Sequence, residues 1–387
     1  MALNASGPIS LGGSTTGQSV NLELGQSTTA TISFNDANVR TLTGTSSGST
    51  LSMPGGFWGK GAEISLTISS NQTNLNLRNW ALFNGWDGSS KAVITVAPGV
   101  YIYSTTTGTP GMTIDGSWPG GVTVINNGYI MGMGGTGGGC TYNTSVPYDA
   151  TNTAYLAVAS LNPIAGSAAI SLGLNVTITN NSYIAGGGGG GGRAGNFQAG
   201  IGNNGMGGGG GGAGGGVGGA SATLENNWWA IIGGTGGAPG QAGADGKIND
   251  WLNHNVGISG GGAGGGGRVI PGSGGAGALW DLTFGGVLTP GGGGGAGGGG
   301  SLGYTLSQTV SGQGGAGGSG NSAGSAGTGT GSSYNGGGGG GWGASGGNQT
   351  PGDSQGGVGG AAGGKAIALN GYTCTLSGSG TAWGGVS

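Results

Sequence analysis

Charge is what this chain has least of. Asp, Glu, Lys and Arg together supply 5% of its 387 residues and the net charge is -3, so there is no basic field to attract nucleic acid and no polybasic segment for a membrane surface. The single histidine, His254, leaves no material for a His-based metal site or a repeated His general base. Cys140 and Cys374 lie too far apart for the CxxC spacing of a redox pair or a zinc knuckle. They read as two free thiols, or as a disulfide tying together the two ends of the glycine-rich region in an oxidising compartment. A basic n-region with an apolar h-region is missing at the N-terminus, and 18 consecutive apolar residues occur nowhere. The expectation is a soluble chain that is not exported by a signal peptide.

What is abundant is glycine, at 112 residues. Each ordered glycine loses more backbone entropy than any other residue, which first points to disorder. Disordered chains, however, combine low hydrophobicity with high net charge, whereas this one is 34% hydrophobic with ten Trp and ten Tyr. Its glycines cluster in runs: Gly186 to Gly192, Gly207 to Gly212, Gly264 to Gly267, Gly291 to Gly295, Gly297 to Gly300 and Gly336 to Gly341. An α-helix is excluded, because each glycine costs about 1 kcal/mol against alanine. Collagen is excluded because no strict Gly-X-Y period with abundant proline is present. A left-handed helix of the polyproline II type remains, with three residues per turn and no internal hydrogen bonds. Its N–H and C=O groups must then pair with adjacent helices, and only glycine lets backbones approach so closely. Flexible linkers are the alternative, but no domain of ordinary composition lies between most of the runs.

Along the chain, residues 1–61 have few glycine runs and form a small module. Asn35 and Asp36 are helix caps before Ala37 to Leu42, and Gly44 is a stop. Residues 62–133 form a small β domain: Ile64, Leu66 and Ile68 alternate with polar residues, and Val93 to Val96 and Val100 to Tyr103 flank the turn pair Pro98-Gly99. Residues 134–387 hold the glycine runs. A repeat crosses this boundary: Val122 to Ile130 and Val176 to Ile184 each read strand, Asn-Asn turn where positive φ is tolerated, short apolar strand, then glycines. Ala222 to Ile231 is a third, looser copy, placing Trp228 and Trp229 where Tyr129 and Tyr183 stand. The stretch Ala366 to Leu376 is a closing strand pair. The fold class is therefore mainly β plus a polyglycine II helix bundle closed by terminal strands.

Catalytic material is scarce. Gly359 to Lys365 fits GxxxxGK, but Ala366 stands where a Ser or Thr would bind Mg²⁺, and no strand-to-helix junction frames it. The Asp residues of the glycine region are not periodic, as calcium-binding nonapeptides require, and no carboxylate pair is marked out for glycoside hydrolysis. The chain is expected to be no enzyme and to use no cofactor or metal.

Three sets of residues carry a family resemblance. Ala5 to Gly12, Val20 to Gly25 and Asn35 to Arg40 look like a leader found in tailed-phage structural proteins. Asn76 to Trp80, Asn84 to Gly88, Pro98 to Ile102 and Asn126 to Ile130 are similar to phage tail-tip and tail-fibre proteins. The glycine-rich part resembles the distal tail-fibre adhesins of T-even-like phages. The resemblance implies a virion protein at the tail tip or fibre, assembled in the host cytoplasm, that binds a bacterial surface protein or glycan. It also implies that residues 1–61 attach it to other tail or virion proteins. No nucleic-acid partner is expected, and homo-oligomerisation is left open. A capsid or tail decoration protein without receptor binding is the alternative, and an ice-binding protein a more distant one. If it is an adhesin, the receptor-binding residues are expected among the aromatics of the connectors: Trp251, His254, Trp280, Phe284, Tyr304, Tyr334 and Trp342. Capping of the bundle is the other role open to each of them.

Overall fold

The computed structural model describes residues 3–88, 90–140, 160–193, 208–219, 229–232, 234–244, 247–250, 266–267, 312–313, 318, 321–326, 328–329, 336–348 and 358–387. The alternating Ile64, Leu66 and Ile68 do form a strand, Glu63–Ile68. Its partner is Lys91–Val96, in parallel. The turn at Pro98-Gly99 is accordingly a corner and not a hairpin: the chain passes it from the strand Lys91–Val96 into Tyr101–Tyr103, which belongs to a different sheet.

This step repeats. Glu63–Ile68, Lys91–Val96, Val122–Asn126, Val176–Asn180 and Cys374–Ser377 stack into one sheet. Gln72–Thr73, Tyr101–Tyr103, Tyr129–Met131, Tyr183–Ala185 and Thr381–Trp383 form a second, and Leu75–Asn76, Met112–Ile114, Ile170–Leu172 and Ile367–Ala368 a third. All these pairings are parallel, and the chain visits the sheets in the same order on every turn. The result is a three-sided β-solenoid, in which each turn buries its apolar face only against its neighbours. Ile94, Val124 and Ile178 of the first sheet, Ile102, Ile130 and Ile184 of the second, and Ile114, Ile170 and Ile367 of the third are buried in one core.

The long glycine segments enter this solenoid at a single corner, between the second and third sheets. The corner is crossed by residues 104–111 in the second turn, by 132–169 in the third and by 186–366 in the fourth. Residues 62–133 and 134–387 therefore share their sheets, and the boundary expected at 133/134 is not one in the fold. The glycine-rich body is two insertions into a solenoid that resumes afterwards.

Two details differ from the sequence reading. Asn126, Asn127, Asn180 and Asn181 do not take positive φ, a conformation held among described non-glycine residues only by Asn74 and Asn370. Asn126 and Asn180 point inward instead: Asn126 Nδ2 donates to Asn180 Oδ1 at 2.8 Å, and Asn180 Nδ2 to the Thr381 carbonyl at 3.1 Å. The third repeat is Thr373 to Trp383, not Ala222 to Ile231; the strand Trp229–Ile232 pairs antiparallel with Lys247–Asp250 outside the solenoid. Trp383 is thus the counterpart of the tyrosines, at the end of a column in which Tyr101, Tyr129 and Tyr183 stack with centroids 4.7 and 6.0 Å apart.

Residues 3–61 have their own small core of Leu3, Val20, Val39, Leu42 and Phe57. Helix α1 spans Val20–Glu23 and α2 Ala37–Thr43, ended by Gly44 at φ 70° as expected. Asp36 caps by position only; its carboxylate accepts from the Ser33 N–H, and Asn35 accepts from Arg40. Glu23 Oε1 accepts from the Ala62 N–H at 2.7 Å, where the module joins the first strand. Burial raises the Glu23 pKa, partly offset by that hydrogen bond.

Candidate functional site

The glycine segments of the two insertions hold one another by backbone hydrogen bonds with a period of three. In the run Gly186 to Gly192, the N–H groups of Gly187 and Gly190 donate to Ser167 and Ile164, those of Gly188 and Gly191 to Ala213 and Gly210, and those of Gly189 and Gly192 to Ala344 and Gly347. The carbonyls of the run accept from Gly135 and Gly138, from Gly337 and Gly340, and from Ala361 and Gly364. These bonds measure 2.6 to 3.0 Å. The run is thereby surrounded, and a Cβ at any of its glycines would lie closer than 3.0 Å to a carbonyl oxygen of a neighbouring segment. Side chains are excluded by sterics, and every third residue faces the same neighbour.

The bond registers also fix direction. Residues 134–138, 186–192, 214–217 and 344–347 advance together, and 164–167, 210–213, 337–340 and 361–364 run opposite. At one end the segments meet the second sheet: Met131, Ala185, Ala213 and Trp342 are buried together there, with Tyr101, Tyr103, Tyr129 and Trp383 packed around them. At the other end the chain leaves the described residues after 140, 193, 219 and 348 and re-enters them at 160, 208, 336 and 358.

Of the aromatics expected to touch a receptor, Trp251, His254, Trp280, Phe284, Tyr304 and Tyr334 lie outside the described residues. Trp342 is described, and it is 0% exposed at the sheet end. It belongs to the turn that reverses the chain between 337–340 and 344–347, beside Gly343 at φ 64°. This side chain has no accessible surface and packs with Met131, Ala185 and Ala213 at the end where the segments meet the sheet. Its burial fits the capping alternative. Residues 141–159 with Tyr142, Tyr148 and Tyr155, 194–207 with Phe197, and 220–228 with Trp228 also lie outside the described residues.

The thiol of Cys374 is free and half-buried in the first sheet, and its pKa is raised by that burial. The disulfide alternative for Cys140 and Cys374 is therefore not realised. Among the described residues no group of three or more His, Cys, Asp or Glu side chains could hold a metal ion.

The family model for the phage tail fibre adhesin Gp38 matches residues 63–257, half of the chain. The chain belongs to the Gp38 tail-fibre adhesin family. It is a structural protein of a phage virion and acts as an adhesin at the tail tip, which decides against the decoration and ice-binding alternatives. A solved structure similar to it is the gp37-gp38 adhesin tip complex of the bacteriophage S16 long tail fibre, with 22% identity over 59% of this chain and 84% of that one and a TM-score of 0.33. No curated protein matches the chain.

Proposed function

We propose that this Gp38-family adhesin binds its host receptor through the connectors at the end of the glycine body remote from the solenoid. The observation that carries the reading is the shared direction of the segments 134–138, 186–192, 214–217 and 344–347, the first three of which lead into stretches that hold Tyr142, Tyr148 and Tyr155, Phe197, and Trp228. The three-residue bonding period supports packed polyglycine II helices as the body, since that helix has three residues per turn and leaves its backbone groups to neighbours. Rods of this kind hold loops at fixed separations, and Trp and Tyr give binding hot spots at low entropic cost. The receptor is a bacterial surface protein or glycan, because aromatic faces pack on apolar side chains and on sugar rings alike. Binding here requires no enzymatic step.

The module of residues 1–61 attaches the adhesin to another tail protein. Its separate core and its resemblance to a leader of phage structural proteins support this role. Deleting it is expected to leave a soluble remainder that no longer enters particles; normal incorporation would refute the assignment.

The receptor reading is tested by replacing Trp251, Trp280, Tyr304, Tyr148 and Trp228 singly with Ala, checking that melting is unchanged, and measuring adsorption of the purified protein to host cells. At least two of the variants are expected to lose tenfold or more in affinity. If all five adsorb like wild type, the connectors are not the receptor site.

A further inference from the structure

Asparagine followed by glycine is prone to lose its side-chain amide, because a glycine nitrogen, with no Cβ beside it, can turn back onto the carboxamide carbon. The sequence holds five such pairs, and those at Asn204 and Asn335 lie outside the described residues. The other three, at Asn84, Asn127 and Asn370, are held in very different ways.

Ring closure requires the asparagine ψ to rotate until the glycine nitrogen meets Cγ, so whatever fixes the peptide or the carboxamide blocks it. Asn127 is blocked at the peptide. Gly128 is buried, its N–H donates to Asn126 Oδ1 at 3.2 Å, and a Cβ there would lie 2.5 Å from the Val100 carbonyl oxygen. Asn370 is blocked at the carboxamide, whose Nδ2 donates to Ser171 Oγ at 2.9 Å and to the Leu172 carbonyl at 3.0 Å, both on the preceding solenoid turn.

Asn84 has neither restraint. It follows helix α3, Leu77–Phe83, which fills the corner between the third and first sheets in the first turn. Asn84 and Gly85 are both exposed, next to Phe83 at 91% exposure. The Gly85 N–H donates only to the Leu82 carbonyl at a long 3.4 Å, and nothing lies within 4 Å of the space a Cβ would take there. The carboxamide has a single anchor, from Nδ2 to the Trp80 carbonyl at 2.8 Å. The peptide can turn, and water reaches it.

We infer that Asn84 is a site of spontaneous deamidation selected by the fold. The Gly85 nitrogen bonds to Asn84 Cγ, the Cγ–Nδ2 bond breaks, and ammonia leaves with the proton that Gly85 gave up. Water then opens the five-membered imide at one carbonyl or the other, leaving aspartate or isoaspartate. Either product loses the donor to Trp80 and puts a negative charge at the C-cap of α3, where the carbonyl ends of the helix repel it. The first solenoid turn therefore loosens at this corner as the protein ages.

The test keeps the full chain in mildly alkaline buffer, folded in one sample and in denaturant in another, and follows each pair by peptide mapping that separates asparagine, aspartate and isoaspartate. In the folded chain Asn84 is expected to convert at least tenfold faster than Asn127 and Asn370, and in denaturant the three are expected to convert at comparable rates. An intact Asn84 in the folded chain, or one no faster than the other two, overturns the inference. A preference for Asn84 that persists unchanged in denaturant overturns it too, since the fold would then select nothing. Asn84→Gln keeps an amide donor but closes a ring far more slowly. On ageing, wild type is expected to fall further in melting temperature than this variant, and an equal fall in both overturns the loosening of the corner. None of these outcomes depends on the connector variants, so this site and the receptor site stand or fall separately.

Discussion

A Cβ on Gly209 would overlap the carbonyl oxygen of Gly191, and the neighbour that must yield is backbone held on several sides. Gly209→Val is therefore expected to destabilise by more than the ~1–3 kcal/mol of ordinary overpacking. Val217, which is 37% exposed, provides the control: Val217→Thr should resist protease like wild type, and Gly209→Val should be digested faster. Glu23 behaves differently, because its difficulty is charge and not volume. Its folded pKa is raised above the ordinary 4.5 by burial, so the folded state holds the proton more tightly than the unfolded chain. The stabilisation from that proton is complete below about the ordinary value and is lost as pH rises through the raised one. Glu23→Gln keeps an oxygen for the Ala62 N–H and removes the charge. It is expected to melt higher than wild type at pH 7, with the difference vanishing near pH 3.5; a difference independent of pH would refute the reading.

At the scale of the element, each solenoid turn is a poor structure alone and a good one in a stack. The corner between the first and second sheets shows why the register does not slip. Asn126 and Asn180 are buried at the same position of successive turns and bond to each other, and the ladder ends on the Thr381 carbonyl of the last turn. A one-residue slip would leave these amides unpaired in the core, at about 1–3 kcal/mol each. Asn180→Ala is accordingly expected to cost about 1–3 kcal/mol in urea unfolding, whereas Asn181→Ala, whose amide donates to Asn127 at the surface, should cost well under 1 kcal/mol. The sequence shows the Asn-Asn pairs plainly. It does not show which Asn of each pair turns inward, because that depends on a neighbouring turn whose strand lies some fifty residues earlier.

At the scale of the whole molecule, the adhesin is a solenoid that carries its glycine body as insertions, so the solenoid is expected to survive their removal. Replacing residues 186–366 with a copy of Ser104 to Gly111, which already crosses the same corner in the second turn, should give a β-rich protein with a cooperative melt and no adsorption to host cells. A variant that does not fold would mean that the body is needed to hold the turns together. The glycine runs themselves were legible from composition: only glycine permits backbones so close, and the scarcity of charge with abundant aromatics excluded disorder. The family was legible from Val122 to Ile130 and its copy and from the glycine-rich part. Which strands pair, and that Thr373 to Trp383 continues the repeat after an interruption of more than 180 residues, was decided only by tertiary structure. Parallel pairing joins strands distant in sequence, and no local pattern records the partner. The same holds for Trp342. Its neighbours in the chain are glycine and alanine, as at a loop tip, and only the reversal of the segments at the sheet end puts its ring among Met131, Ala185 and Ala213 instead of in solvent.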